Sequence, residues 1–231
     1  MDMVSCGFLN TLEESLKAGK IMEEQINTAC RRVLEAKYKL GLFSNPYKYG
    51  DTLRVKEQLY TAEHRSAARA IASETFVLLK NENHLLPLGL KGKIALVGPM
   101  ADARNNMCGM WSMACTASRH GTLLEGIRSA AGDKAEILYA KGSNVYEDAE
   151  MEKAAAGIRP LEHEDNRKLL DEALRVASRA DVIVAALGEC AEMSGESASR
   201  TNLEIPDAQQ NLLKALLKTG KPVVLLLFTG R

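Results

Sequence analysis

Several things this sequence lacks narrow its reading before any motif is considered. No sign of charge dominates, because thirty lysines and arginines balance thirty aspartates and glutamates. Without a net field there is little to hold a polyanion, so neither nucleic acid nor an anionic membrane is expected as a partner. No apolar run approaches the ~20 residues a membrane span requires. The N-terminus, MDMVSCGFLN, has no basic stretch followed by an apolar one, so no signal peptide is read there. Aromatic residues make up only 5% of the chain, with a single tryptophan, Trp111. The five cysteines (Cys6, Cys30, Cys108, Cys115 and Cys190) are an odd number without a CxxC pair or a histidine at ligand spacing. Mostly free thiols and no metal site are the expectation. What the chain does have is 231 residues at 46% apolar content, enough for one large core or two smaller ones.

Two helices are predicted first. Asn10 or Thr11 can cap one with Leu9, Leu12 and Leu16 on a face and Gly19 as its stop. The next runs from about Met22 to Leu40, with Met22, Ile26, Ala29, Cys30, Val33 and Leu34 at helical spacing. These apolar stripes require a partner surface. Gly41, Pro46 and Gly50 then mark residues 44 to 60 as a linker.

From Thr61, a candidate N-cap, element types alternate. An alanine-rich helix comes first, then the strand Ile94–Val97, and a helix capped by Thr122 and Glu125 and stopped by Gly132. A strand at Ile137–Tyr139, a helix over about 166–178, a strand at Val182–Leu187, a helix from Pro206 to Gly220 and a strand at Val223–Leu227 follow. Strands without polar alternation are covered on both faces, which predicts an α/β fold: a mostly parallel sheet with helices on each side.

Chemistry in such folds gathers in the loops beyond the carboxyl ends of strands. Three loops qualify. The first, Gly98 to Gly121, holds Trp111, for which a core role and a ligand platform are evenly matched; Gly98-Pro99-Met100-Ala101 lacks the glycines of a dinucleotide fingerprint. The second, Gly142 to Leu161, carries Glu147, Asp148, Glu150 and Glu152, and reads as a solvated charged face. In the third, Gly188 to Thr201, the carboxylates Glu189, Glu192 and Glu196 and the guanidinium of Arg200 follow directly on a buried strand. Composition alone assigns these residues no reaction.

Gly188-Glu189 after that strand, then Glu196-Ser197-Ala198-Ser199-Arg200-Thr201-Asn202-Leu203, Ile205-Pro206 and Gln209-Gln210, closely resembles the acid/base loop of bacterial family 3 β-glucosidases. The resemblance extends in order along the chain. It includes Asp2-Met3, Arg32-Val33-Leu34 with Lys37 and Gly41-Leu42-Phe43, Ser73-Glu74-Thr75, Val77 to Asn81 with Leu86-Pro87-Leu88, Val97-Gly98-Pro99 with Ala101-Asp102, Gly109 with Trp111, and Thr122 to Ile127.

The resemblance implies a TIM-type barrel first and an α/β sandwich second, with the active site between them. It makes residues 1–43 the end of the barrel, 44–72 the interdomain linker and helix, and 73–231 an incomplete sandwich. The aspartate nucleophile of the family would lie upstream of this chain. Glu196 matches the acid/base, Glu189 is the runner-up, and Trp111 and Arg200 are candidates for contact with substrate. The implied activity is retaining, exo-acting hydrolysis of terminal β-glucosides without metal or organic cofactor. β-Xylosidase and exo-glucanase are the alternatives within the family, and an inactive truncated α/β module is the alternative outside it. The chain as it stands reads as neither exported nor anchored, while the complete protein is expected in the periplasm or outside the cell.

Overall fold

A computed structural model describes residues 2–112, 115–156, 162–196 and 198–230. The chain divides into two compact units, Met1–Leu78 and Leu79–Arg231.

The first unit contains α1 (Gly7–Lys17), α2 (Glu23–Lys39), α3 (Arg54–Gln58) and α4 (Ala62–Glu74). The first helix starts earlier than Asn10, because a cap forms upstream: the Asp2 carboxylate accepts the Phe8 N–H at 3.0 Å and the Ser5 hydroxyl accepts that of Gly7 at 3.2 Å. Thr11 is inside the helix, its hydroxyl donating to the Gly7 carbonyl. The second helix and the Thr61 cap, which accepts the His64 N–H at 3.1 Å, follow the sequence reading. The stretch expected as a bare linker contains α3. No described residue of this unit is buried. Val4, Phe8, Leu9 and Leu12 of one segment and Ile21, Ile26, Ala29 and Val33 of the next line an open groove of about 630 Å³. That groove is the unpartnered apolar stripe the helical periodicity predicts.

The second unit is a four-stranded, all-parallel sheet in the order β2-β1-β3-β4, with β1 (Gly92–Val97), β2 (Ala135–Ala140), β3 (Val182–Gly188) and β4 (Val223–Phe228). Ile94 of β1 stands opposite Ile137 and Val182, and Gly188 of β3 opposite Phe228. The pleat sends alternate side chains to opposite faces. Ile94, Leu96, Val182, Val184 and Ala186 join one core with Leu124 of α5 (Leu123–Ala131). Ala95, Val97, Ile183, Ala185 and Leu187 join another with Ala173 and Ala177 of α7 (Asn166–Arg179) and Leu212 and Leu216 of α8 (Asp207–Leu217). Helices therefore cover both faces, as the unbroken apolar strands imply.

Two local expectations are corrected. The edge strand β4 is not covered on both faces, and Leu225 and Leu227 are exposed. The second loop is not simply a solvated charge run. Within it α6 (Ala149–Ala156) aims Glu152 inward, 1% exposed, where its carboxylate accepts the N–H groups of Val145 and Tyr146 at 3.2 Å and pairs with His163. A buried carboxylate is tolerated when its lone pairs are this fully occupied.

Candidate active site

The sheet order reverses between β1 and β3. The chain leaves β1 toward β2 on one side and returns to build β3 and β4 on the other, so the loops after β1 and β3 leave the carboxyl edge at the switch point where open α/β sheets hold ligands. These are the loops that carry Trp111 and the Glu189–Arg200 segment. They touch. The Ala191 N–H donates to Asn106 Oδ1 at 3.2 Å. Gly195, at φ +119°, lies so close to the first loop that a Cβ there would meet Met110 Cγ at 2.6 Å and Trp111 Nε1 at 3.7 Å. Trp111 itself is 68% exposed, so its indole is a surface and not a core filler.

The base of the third loop is held by Gln209 on α8, which is fully buried. Its Oε1 accepts the Gly188 N–H at 2.7 Å, and its Nε2 donates to the Gly188 carbonyl at 2.8 Å and to that of Val145 at 3.2 Å. One amide thus ties the end of β3 to the second loop. Gly188, at φ +145°, has the Phe228 backbone where a Cβ would go, and the next N–H, that of Glu189, donates to the Phe228 carbonyl at 2.8 Å.

The three carboxylates of the loop meet three different environments. Glu189 forms an ion pair with Arg200, the side chains 8% and 14% exposed, and Arg200 also donates to the Glu204 carbonyl. Glu192 has its carboxylate oxygens buried. Glu196 is exposed and makes no hydrogen bond or ion pair among the described residues. Ser197 lies outside the described residues, as do Met113 and Ala114 of the first loop and residues 157–161 of the second.

Cys190 is 2% exposed, and burial pushes its thiol up to about 11, which leaves it protonated and unreactive at neutral pH. Half-buried Tyr146, its hydroxyl also raised by burial, comes from the second loop into the same core as Cys190 and Met193. Asn106, Tyr146 and Gln209 carry no catalytic signature in sequence, and only Gln209 stood within a recognised motif.

In the first loop Cys108 and Cys115 are joined by a disulfide, and His120 Nε2 lies 3.4 Å from Cys115 Sγ. Cys6, Cys30 and Cys190 remain thiols. The six-residue gap between the cysteines belongs to no familiar pattern, which is why the sequence marks neither the pairing nor the histidine.

The model of the glycosyl hydrolase family 3 C-terminal domain matches residues 76–231. The chain belongs to glycoside hydrolase family 3. It is 40% identical over 240 residues to a periplasmic beta-glucosidase of Salmonella typhimurium, an alignment covering 100% of this chain and 31% of the relative. A beta-xylosidase of Formosa agariphila is 30% identical, with 96% of this chain and 29% of that protein covered. The crystal structure of a Listeria innocua beta-glucosidase in complex with glucose superposes with a TM-score of 0.78 at 31% identity, covering 100% of this chain and 29% of that one. The chain therefore spans about a third of the length of these relatives. The family 3 resemblance and the α/β fold read from sequence are both borne out.

Proposed function

We propose that the whole protein is a retaining, exo-acting β-glucosidase that hydrolyses terminal non-reducing β-D-glucosyl residues, and that this chain supplies its acid/base, Glu196. In this reading residues 1–43 close a TIM-type barrel, residues 44–72 link it onward, and the groove of the first unit is the face that meets the rest of that barrel. The barrel aspartate attacks the anomeric carbon while the Glu196 carboxyl gives its proton to the departing glycosidic oxygen. The resulting Glu196 carboxylate then takes a proton from water, whose oxygen attacks the same carbon and releases glucose with its β configuration retained. Both steps need the two carboxyl groups only ~5–5.5 Å apart.

The observation that carries the proposal is the meeting of the two loops at Gly195, which sets an exposed carboxyl next in sequence to a residue packed on the exposed indole of Trp111. An acid/base must exchange protons with substrate and water, and Glu196 is exposed with no partner among the described residues, whereas Glu189 is paired with Arg200. Trp111 offers an apolar face for the aglycone, while Arg200, engaged by Glu189 and the Glu204 carbonyl, would reach a substrate only by sharing its guanidinium. The Salmonella relative supports a periplasmic location. The Formosa relative supports β-xylosidase activity as the second reading, since the sugar pocket would lie chiefly in the barrel.

The test is Glu196→Ala in the whole protein. Hydrolysis of cellobiose, with its poor leaving group, should fall by the ~10²–10⁴-fold that a general acid contributes. Glycosylation by a dinitrophenyl glucoside should survive, and azide should restore turnover and yield β-glucosyl azide. Near-normal cellobiose activity in Glu196→Ala, with leaving-group dependence and azide rescue in Glu189→Ala, would move the role to Glu189. The same purified variants assayed on nitrophenyl xyloside decide between the two sugars.

A further inference from the structure

Cys108, Cys115 and His120 are brought together by three separate devices. The two cysteine Cα atoms are 6.3 Å apart, and the ligand atoms of all three residues lie within 4.8 Å of one another. His120 ends a short turn whose N–H donates to the Ala117 carbonyl, and its own carbonyl accepts from Arg104. Arg104 in turn pairs with Glu125, the residue that closes the capping box with Thr122 at the start of α5. The histidine backbone is therefore anchored to a helix terminus and not left to a wandering loop. Cys108 is buried, while Cys115 and His120 are half-buried, so the cluster is open on one side.

We propose that this cluster is a thiol-gated zinc site: a disulfide when oxidised, and a two-thiolate, one-imidazole site for a zinc ion when reduced. Zinc takes Cys sulfur at ~2.3 Å and His nitrogen at ~2.0–2.1 Å in a tetrahedron, which requires sulfur and nitrogen about 3.6 Å apart and the two sulfurs about 3.8 Å apart. The Cys115–His120 separation of 3.4 Å already meets the first requirement for one sulfur, and the Cys108 sulfur lies within 4.8 Å of the same nitrogen. Reduction meets the second by letting the sulfurs part. Two thiolates and one imidazole suit zinc over the hard cations calcium and magnesium, and they leave a fourth position for water on the open side. The chemistry balances with an external dithiol: it becomes a disulfide, the protein disulfide takes up two electrons and two protons, and zinc displaces both protons on binding. The ring closed by Cys108 and Cys115 contains Trp111, so either state constrains the segment bearing that indole.

The experiment uses the purified protein reduced anaerobically, freed of reductant and titrated with zinc against a chromogenic chelator. Reduced wild type should bind one zinc more than the Cys108→Ser/Cys115→Ser double variant, which corrects for Cys6, Cys30 and Cys190. Zinc should also change the emission of Trp111, read as the difference between wild type and Trp111→Phe. The oxidised protein should show neither effect. His120→Ala, which leaves the disulfide pair intact, should weaken the site at least about tenfold, taking the effect of lost supporting partners as the lower bound. If reduced wild type binds no more zinc than the double variant, if the oxidised protein binds equally well, or if His120→Ala binds as tightly as wild type, the site does not exist.

Discussion

A Cβ on Gly195 would sit 3.7 Å from the indole Nε1 of Trp111, and 2.6 Å from Cγ of the neighbouring Met110. Only a residue without a side chain lets the loop after β3 lie against the loop after β1, and its φ of +119° is one that L side chains rarely adopt. Gly195→Ala should therefore cost about 1–3 kcal/mol locally. Because the strain falls on a loop and not on the core, the change should register as an altered Trp111 emission and, under the activity proposed for the whole protein, as a lower kcat/KM more than as a lower Tm. Unchanged emission and unchanged activity would show that the two loops act independently.

Glu189 and Arg200 form an ion pair largely withdrawn from water, and breaking such a pair from one side leaves the other charge stranded. Glu189→Ala should destabilise the protein by about 3 kcal/mol. Glu196→Ala, at an exposed position, should stay within about 0.5 kcal/mol of wild type. Urea denaturation of the two variants side by side separates the structural pairing of Glu189 from the chemical role proposed for Glu196, and equal midpoints would refute the distinction drawn between them.

Gln209 satisfies the N–H and carbonyl of Gly188 and the carbonyl of Val145 from a fully buried position. Leu fills nearly the same volume but offers no polar atom. Each orphaned group costs about 1–3 kcal/mol, so Gln209→Leu should lose at least ~3 kcal/mol in chemical denaturation. Gln209→Glu keeps the acceptor for the Gly188 N–H but cannot donate to either carbonyl, and it should not rescue the loss. A mild effect of Gln209→Leu would mean that the loop base is held elsewhere.

Alkaline stability should bear the mark of Cys190. Burial raises its thiol from 9.0 to about 11, so the folded state favours the neutral thiol. The corresponding stability is complete below pH 9.0 and is lost as pH rises toward about 11, because the unfolded chain ionises first. The loss is roughly 3 kcal/mol at most. Tyr139, raised by burial from 10.0 to about 12, adds a second decline that starts about one unit higher, and Tyr146, raised also by burial, acts in the same direction. Cys190→Ala should remove the part of the fall in urea midpoint that begins at pH 9.0 while leaving the tyrosine decline that begins near 10.0. An identical profile in the variant would dismiss the assignment.

Much of this molecule was legible residue by residue. The unbroken apolar runs Ile94–Val97 and Val182–Leu187 identified buried parallel strands, and Thr122 with Glu125 located a helix start that the structure reproduces in both hydrogen bonds. The misreadings have local causes. Asn10 is a good cap, but Asp2 and Ser5 offered one earlier, and intrinsic preference does not say which of two caps wins. Glu152 was read as solvated because a carboxylate in a charged stretch usually is; its burial depends on the N–H groups of Val145 and Tyr146, which turn toward it only once the loop is folded.

What the sequence determined by itself was the order of the four strands and of the long helices between them, though not the short helices α3 and α6, together with the family and the identity of the loop that carries Glu189, Glu192, Glu196 and Arg200. These follow from periodicity, capping and short motifs, all of which act between residues near one another in the chain. Tertiary structure alone decided which side chains meet. The reversal of strand order between β1 and β3 brings Trp111 beside Gly195. The same fold turns one of three similar glutamates toward Arg200, buries another and leaves Glu196 exposed, and it closes Cys108 on Cys115 beside His120. Charge, burial and ligand geometry are properties of neighbours in space, and those neighbours exist only after the sheet has set the direction in which each loop leaves it.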